Sequence, residues 1–343
     1  MIVYVVTTEH SYTMQTYVTA WGARPGSRMR FLFYEDLPRL TELPAATYFF
    51  TDLERLTPAQ IEIATSVSRQ VARHAPDARV VNDPARVLCR YELLTALRRL
   101  GRNGYAVARA ADAAAAALRF PVFLRSEQDH TGSLTPLLHG RRELRRAARW
   151  LRFRGHPLRD LLVVEYCHTA DTSGLFRKYA AFVVGHQVLP RHMLFSRNWL
   201  LKRPDIVDAD TTRELEMYLE TNPHEEWIRE TCALAHVAYG RIDYSLLGDE
   251  PQVWEINTNP TVRKLADLLT AAFEALDDVA DGRPPIPIVV DPLLAGRAEH
   301  ERRARRRTEA VRRTIDGWSA GKAAWPLRTL AGVLGLPKDA RFR

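Results

Sequence analysis

Short runs of β-branched and aromatic residues alternate with amphipathic stretches over the first eighty or so positions. Ile2–Thr7, Met29–Tyr34, Thr47–Thr51 and Ala78–Val81 read as strands. Between them, Pro58–Ala75 reads as a helix, with Thr57 as its N-cap and proline at its first position. This alternation predicts a small α/β domain with a largely parallel sheet. It carries no Gly-rich phosphate loop of the dinucleotide type. Further along, Asn82-Asp-Pro opens a predicted helix over Ala85–Leu100, ended by Gly101. The Ala-rich stretch Ala110–Arg119 and the basic stretch Glu143–Arg154 read as further helices. Phe120–Arg125 reads as a short buried strand, and Ser126–Thr135 as a polar loop. Strands are predicted at Leu161–Cys167, Lys178–Val184 and Gln187–His192, and helices at Thr211–Leu219, Glu225–Ala235 and Val262–Leu276. Gly240–Leu247 and Gln252–Thr258 form a predicted hairpin around a four-residue loop, Gly248–Pro251. A proline-rich joint at Arg283–Ile288 precedes a basic tail.

Composition narrows the class. The 343 residues, 46% hydrophobic and 26% charged, are those of an ordinary globular chain long enough for two or three domains. No apolar run approaches the roughly 18–20 residues of a membrane span, and the start reads as a strand rather than a signal peptide. Three widely spaced cysteines, Cys89, Cys167 and Cys232, form neither a metal knuckle nor a disulfide framework, so a reducing cytoplasm is expected. The net charge of +8 invites a nucleic-acid reading, but its location weakens that reading. Residues 284–343 hold 13 Lys+Arg against 6 Asp+Glu, a net +7, which leaves +1 for everything before them. A second basic cluster, Arg141–Arg159, has eight arginines and one glutamate. With 44 arginines and only 5 lysines in the chain, each lysine stands out against an arginine background.

The hairpin carries the most chemistry. Arg241 and Asp243 lie two apart on its first strand, and Glu255 and Asn257 on its second, so each pair projects from one face. Pairing would bring two carboxylates and an amide oxygen together, a hard, oxygen-only set suited to Mg²⁺. Spacing alone also fits two carboxylates on a solvated face.

Gly240-Arg-Ile-Asp243, followed after twelve positions by Glu255-Ile-Asn257-Thr-Asn-Pro260, resembles the signature of the ATP-grasp superfamily, in particular of D-alanine–D-alanine ligases and glutathione-synthetase-like enzymes. The resemblance covers roughly residues 82–270. It implies an α/β chain with an ATP-grasp fold: an N-terminal Rossmann-like domain and two α+β subdomains clasping ATP. The implied boundaries are residues 1–83 for the N-terminal domain and 84–282 for the core. Within the core, the small subdomain spans about 105–167 and the metal-binding subdomain about 168–282; residues 283–343 form a basic, mainly helical extension.

Residue by residue, the resemblance makes Asp243, Glu255 and Asn257 ligands of two Mg²⁺ ions, with Mn²⁺ as a substitute, and gives Arg241 the transferred phosphoryl group and the acyl intermediate. Arg125 takes the place of a family lysine on the phosphates, with Gly132 and Ser133 in the flexible flap beyond it. Main-chain groups at Glu165, Tyr166, Cys167 and His168 would read adenine and Asp171 the ribose. Lys178, Arg191 and Lys202 would add phosphate or substrate contacts. Where many of these ligases have a glycine after the E-x-N-x-x-P run, this chain has Thr261, so the acceptor cannot be carried over from any of them. The implied activity is ligation of a small-molecule or peptide carboxylate to an amine through an acyl phosphate, with ATP consumed. An ATP-grasp kinase is the alternative. A protein of another class, binding nucleic acid through the tail, is a minor third. The blander role for the tail is a helix packed on the body or on a second subunit of a homodimer. No membrane partner is expected.

Overall fold

The computed structural model describes residues 1–21, 29–112, 115, 117–262, 271–273, 275–276 and 283–320. In chain order the elements are β1 (Ile2–Val6), α1 (Tyr12–Trp21), β2 (Met29–Phe33), β3 (Glu42–Leu43), β4 (Thr47–Phe50), α2 (Pro58–His74), β5 (Val80–Val81), α3 (Arg90–Arg99), β6 (Val107–Arg109), β7 (Val122–Ser126) and α4 (Arg141–Phe153). They continue with β8 (Leu161–Glu165), β9 (Phe176–Val184), β10 (Gln187–Ser196), α5 (Ala209–Thr221), α6 (Glu225–Leu234), β11 (Tyr239–Leu247), β12 (Glu250–Asn257), β13 (Ile286–Pro287) and α7 (Pro292–Ala320). The chain is mixed α/β and forms two compact bodies. One comprises Met1–Cys89, Ala170–Leu246 and Val253–Glu299; the other comprises Arg90–Thr169, Leu247–Gln252 and the described residues from His300 onward.

The first body holds two main sheets. A parallel sheet runs β2-β1-β4-β5. Its central strands are buried throughout, which is why they read as unbroken apolar runs. Alternation divides them between two cores. Val3, Val5, Tyr48 and Phe50 pack with Ile63, Val67 and Val71 of α2, whose start is fixed by the Thr57–Gln60 capping box. Ile2, Tyr4, Val6 and Phe49 pack instead with Phe182 and Val184 of β9 and with Tyr239 of β11. Those last two strands lie in the second sheet, ordered β10-β9-β11-β12, in which β9 pairs antiparallel with both β10 and β11. Its opposite face is aromatic: the Tyr179 and Tyr244 rings stack with centroids 5.2 Å apart, and Tyr218, His224 and Trp227 surround them.

The second body is built on a three-stranded antiparallel sheet, β6-β8-β7. α4 covers it with Leu144, Ala147 and Leu151 and turns Arg141, Arg142, Arg145, Arg149 and Arg152 outward. In this body α7 meets Gly155 through Arg312 Nη2, Gln128 through Arg305 Nη2 (2.7 Å) and Arg154 through Asp316. In the first body its Arg297 pairs with Glu62. The tail's charge is thus partly spent on packing. No helix among the described residues is long and apolar enough to cross a membrane.

Several expectations need correction. The helix expected over Ala85–Leu100 begins only at Arg90. Asp83 closes a single turn, its carbonyl accepting from Arg86 N and Val87 N, and Leu88 N then donates to Ala235 O, so the turn does not propagate. The hairpin loop has two residues, Gly248-Asp249, with Gly248 at φ 61°. Glu250 and Pro251 join β12, which tolerates proline because it is the edge strand. β10 runs on to Ser196, and β8 stops at Glu165. Parts of the helices expected at Ala110–Arg119 and Val262–Leu276 lie outside the described residues.

Candidate nucleotide and metal site

Register assembles the site on one face of the β10-β9-β11-β12 sheet. His192 on β10 and Asp243 on β11 both pair with Ala180 on β9, so the three occupy one row and one face. Lys178 lies two residues along β9 on that face, and Arg241 lies beside Phe182. Ala180, with no side chain beyond Cβ, leaves the space between its neighbours to longer groups. Asp243 is 4% exposed, Asn257 7% and Glu255 8%, too deep for a merely solvated hairpin face. Asp243 Oδ1 accepts from Arg241 Nε at 2.7 Å; its Oδ2 accepts from Arg241 Nη2 and Lys178 Nζ, each at 3.3 Å. Burial alone would raise the Asp243 pKa. Arg241 and Lys178 outweigh burial and the opposing Glu255 charge, and they hold the carboxyl below its ordinary value.

His192 extends the row. Burial, with Arg191, Arg241 and Lys178 adding to it against Asp243, pushes its pKa down to about 3, so the imidazole is neutral. Its Nδ1 therefore accepts from Arg191 Nη1 at 2.5 Å, and the Arg191 guanidinium lies 5.8 Å from the Phe182 ring centroid. Three cations, two carboxylates and an amide therefore share this face. Such an arrangement can neutralise a polyphosphate. The donor chemistry also fits a hard divalent ion: the candidate ligands are oxygen-only, and Asp243 is already held ionised. Among the described residues no cluster of three or more His, Cys, Asp or Glu forms a metal centre. The candidate set is two carboxylates and Asn257.

The segment after β12 is fixed to the carboxyl ends of the parallel strands, where open α/β sheets characteristically bind ligands. Thr258 Oγ1 donates to Glu54 Oε2 (2.7 Å) and accepts from Leu53 N (3.1 Å). Asn259, 2% exposed, uses every hydrogen-bonding position of its side chain. Sequence reasoning passed over His192, Thr258, Asn259 and Asp52. Asn259 sits inside the motif and His192 beside Arg191, but neither residue type announces a role by itself.

The remaining expected contacts fall into two groups. Asp171, in the first body, caps its own turn by accepting from Ser173 N and Leu175 N, and pairs with Arg177 at 2.6 Å, which holds its pKa far below the usual range. Its carboxylate is thus occupied by structure. Lys202 is exposed on the segment beyond β10. In the second body, Arg125 is buried on β7 and bridges to Ser133, whose Oγ donates to Thr135 O. Glu165 accepts from Ala106 N (3.1 Å), Arg119 N (2.7 Å) and Arg119 Nη2 (2.8 Å), and against burial these keep it ionised. Tyr166 Oη and His168 Nδ1 share a hydrogen bond of 2.7 Å. Burial pushes the Cys167 thiol up to about 11. The Ser126–Thr135 loop, expected to be a flexible flap, is gathered by one buried side chain. Arg90 Nη1 donates to the carbonyls of Ser126, Glu127 and Asp129 at 2.7–2.9 Å.

No family model matches this chain, and no curated protein does. Among solved structures, the chain is similar to ATP-grasp ligase PsnB complexed with a minimal precursor, at 14% identity over 80% of this chain and 98% of that one, TM-score 0.49. It is similar also to D-alanine–D-alanine ligase from Bacillus anthracis, at 11% identity over 80% of this chain and 92% of that one, TM-score 0.45. A third likeness is to a RimK domain ATP-grasp protein from Sphaerobacter thermophilus, at 14% identity over 80% of this chain and 97% of that one, TM-score 0.43.

Proposed function

We propose that this protein is an ATP-dependent ligase that joins a carboxylate to an amine through an acyl phosphate, releasing ADP and phosphate. One observation carries the reading: a buried carboxylate, Asp243, shared by Arg241 and Lys178 beside Glu255 and Asn257. Asp243, Glu255 and Asn257 would hold two Mg²⁺ ions, or Mn²⁺ in their place. The ions would supply positive charge that offsets the nucleotide's phosphate charge. Phosphoryl transfer asks little covalent chemistry of a protein and much positioning and charge, which is what this face offers. Arg241, with its planar fork, would stabilise the anionic acyl phosphate and the oxyanion formed when the amine attacks it. Lys178 and Arg191 would hold phosphate oxygens, and Lys202 would add a contact. His192 cannot serve as a general acid near neutrality, because it carries no proton to give beyond its single ring N–H. Arg125, Ser133 and the main chain at Glu165–His168 are the second body's proposed nucleotide contacts; Asp171, its carboxylate already committed, is proposed for the ribose only through exchange of its Arg177 partner. The substrates are small-molecule or peptide acids and amines.

The test is a panel of acids and amines assayed for ADP release, with mass spectrometry of the product. Ligation gives free phosphate only when acid and amine are both present; a kinase leaves the phosphoryl group on its acceptor. Glu255→Gln is expected to abolish ADP formation, and near-normal turnover by that variant would remove the metal assignment.

A further inference from the structure

Asn259 is a buried amide with all of its hydrogen-bonding positions used. Its Oδ1 accepts from Tyr4 Oη (2.9 Å) and Thr13 Oγ1 (2.6 Å). Its Nδ2 donates to Asp52 Oδ1 (3.0 Å) and His10 O (3.1 Å), and its backbone N donates to Asn257 Oδ1 at 2.8 Å. Asp52 is fully buried and stands at φ 56°, in the left-handed region that aspartate visits more readily than most non-glycine residues. Its carboxylate is engaged on both oxygens: Thr7 N (3.3 Å) and Thr7 Oγ1 (2.5 Å) donate to its Oδ2, and Arg55 Nη1 (2.5 Å) joins Asn259 on its Oδ1.

The polarity of this pair is fixed. The Asp52 carboxylate and the His10 carbonyl oxygen can only accept, so the Nδ2 donors of residue 259 must face them, which turns Oδ1 to the Tyr4 and Thr13 hydroxyls; only asparagine supplies both ends at this size. The lock sits two residues beyond Asn257, and Asn259 donates a hydrogen bond from its own backbone N to the Asn257 amide oxygen, so it sets where that oxygen points.

We infer that Asn259 and Asp52 are positioning residues that hold the Glu255-x-Asn257 segment in its cation-binding geometry by anchoring it to the ends of β1 and β4. The inference rests on the nucleotide reading above and adds two residues to it. Neither touches a phosphate; they act through Asn257.

Exchange of polarity tests this. Asn259→Asp sets a carboxylate oxygen against Asp52, whereas adding Asp52→Asn restores one donor and one acceptor across the contact. The probe is Mn²⁺ with ADP, followed by loss of the free Mn²⁺ resonance in electron paramagnetic resonance, and each variant's melting curve is recorded separately. Asn259→Asp is expected to weaken Mn²⁺–ADP binding at least tenfold, and the double exchange to recover a substantial part of that loss. Should Asn259→Asp fail to fold, Asn259→Ser, which keeps an acceptor and removes the amide donors, is expected to give the same weakening. A variant that melts lower yet binds Mn²⁺–ADP like the wild type overturns the inference, as does a double exchange no better than Asn259→Asp alone. Absence of Mn²⁺–ADP binding in the wild type is a different result: it overturns the nucleotide reading itself and takes this inference with it.

Discussion

Replacing Asp243 by asparagine separates the two things this carboxylate does. It partners Arg241, whose side chain is 17% exposed, and Lys178, at 22%, while itself only 5% exposed. Removing one partner of a buried pair costs about 3–5 kcal/mol because a charge is left uncompensated. The cost here is smaller, because both cations reach some water and Glu255 remains attracted to Arg241. A loss of roughly 2 kcal/mol follows. In a chain of 343 residues, at about 2.1 cal/mol/K of unfolding entropy per residue, that corresponds to a fall in Tm of about 3 °C. The assay is thermal unfolding in EDTA, then with Mg²⁺ and ADP. A ligand at a hundred times its Kd adds about 2.7 kcal/mol to the folded state. The wild type should show that gain and Asp243→Asn should not. Equal stability of the two proteins in EDTA would refute the ion-pair reasoning, and an equal gain with Mg²⁺–ADP would refute the cation assignment.

Three further outcomes are expected. A Cβ on Gly240 would lie 2.9 Å from the Asn257 carbonyl oxygen and 3.3 Å from Ile256, so Gly240→Ala must push β11 away from β12; isothermal titration should show Mg²⁺–ADP affinity falling with the fold retained by circular dichroism. His156, pushed down to about 4 by burial and by Arg312 and Arg154, binds its proton more readily in the unfolded chain. Its contribution is therefore complete above the unfolded value of about 6.5 and is lost as pH falls towards 4, by up to about 3 kcal/mol; urea unfolding of His156→Gln against pH should show a flatter profile across that window. Burial holds the Cys167 and Cys232 thiols near 11 and 12, so both should resist iodoacetamide at pH 8 until the chain is denatured, as peptide mapping would show.

The central strands of the parallel sheet were legible because burial on both faces forces continuous apolar runs, and α2 because its cap and first-turn proline are local signals. The Arg241/Asp243 pair was legible too, since two-residue spacing on a strand fixes a shared face. What stayed hidden depends on register and on distant chain. His192 enters the row only through its pairing with Ala180 and that residue's pairing with Asp243. Asn259 and Asp52 are separated by 207 positions, and no periodicity links them. Arg90 lies within the helix expected over Ala85–Leu100, and nothing in its local sequence marks it as a residue only 4% exposed. The start of that helix was missed because Leu88 finds its partner at Ala235, a choice that local propensity does not record.

Arg90 has a consequence for how the loop after β7 behaves. A binding loop that orders only around its ligand subtracts the entropy of ordering from the affinity. Here that entropy is spent during folding, because one planar guanidinium spans three carbonyls and the His130 imidazole at 3.1 Å. A lysine has three donors on a single tetrahedral nitrogen and cannot span the same fan. Arg109 on Glu127, Arg305 on Gln128 and Ser133 on Thr135 tie other points of the loop, so Arg90→Lys, conservative in charge, would release the three carbonyls that the guanidinium draws together and loosen that part of the segment.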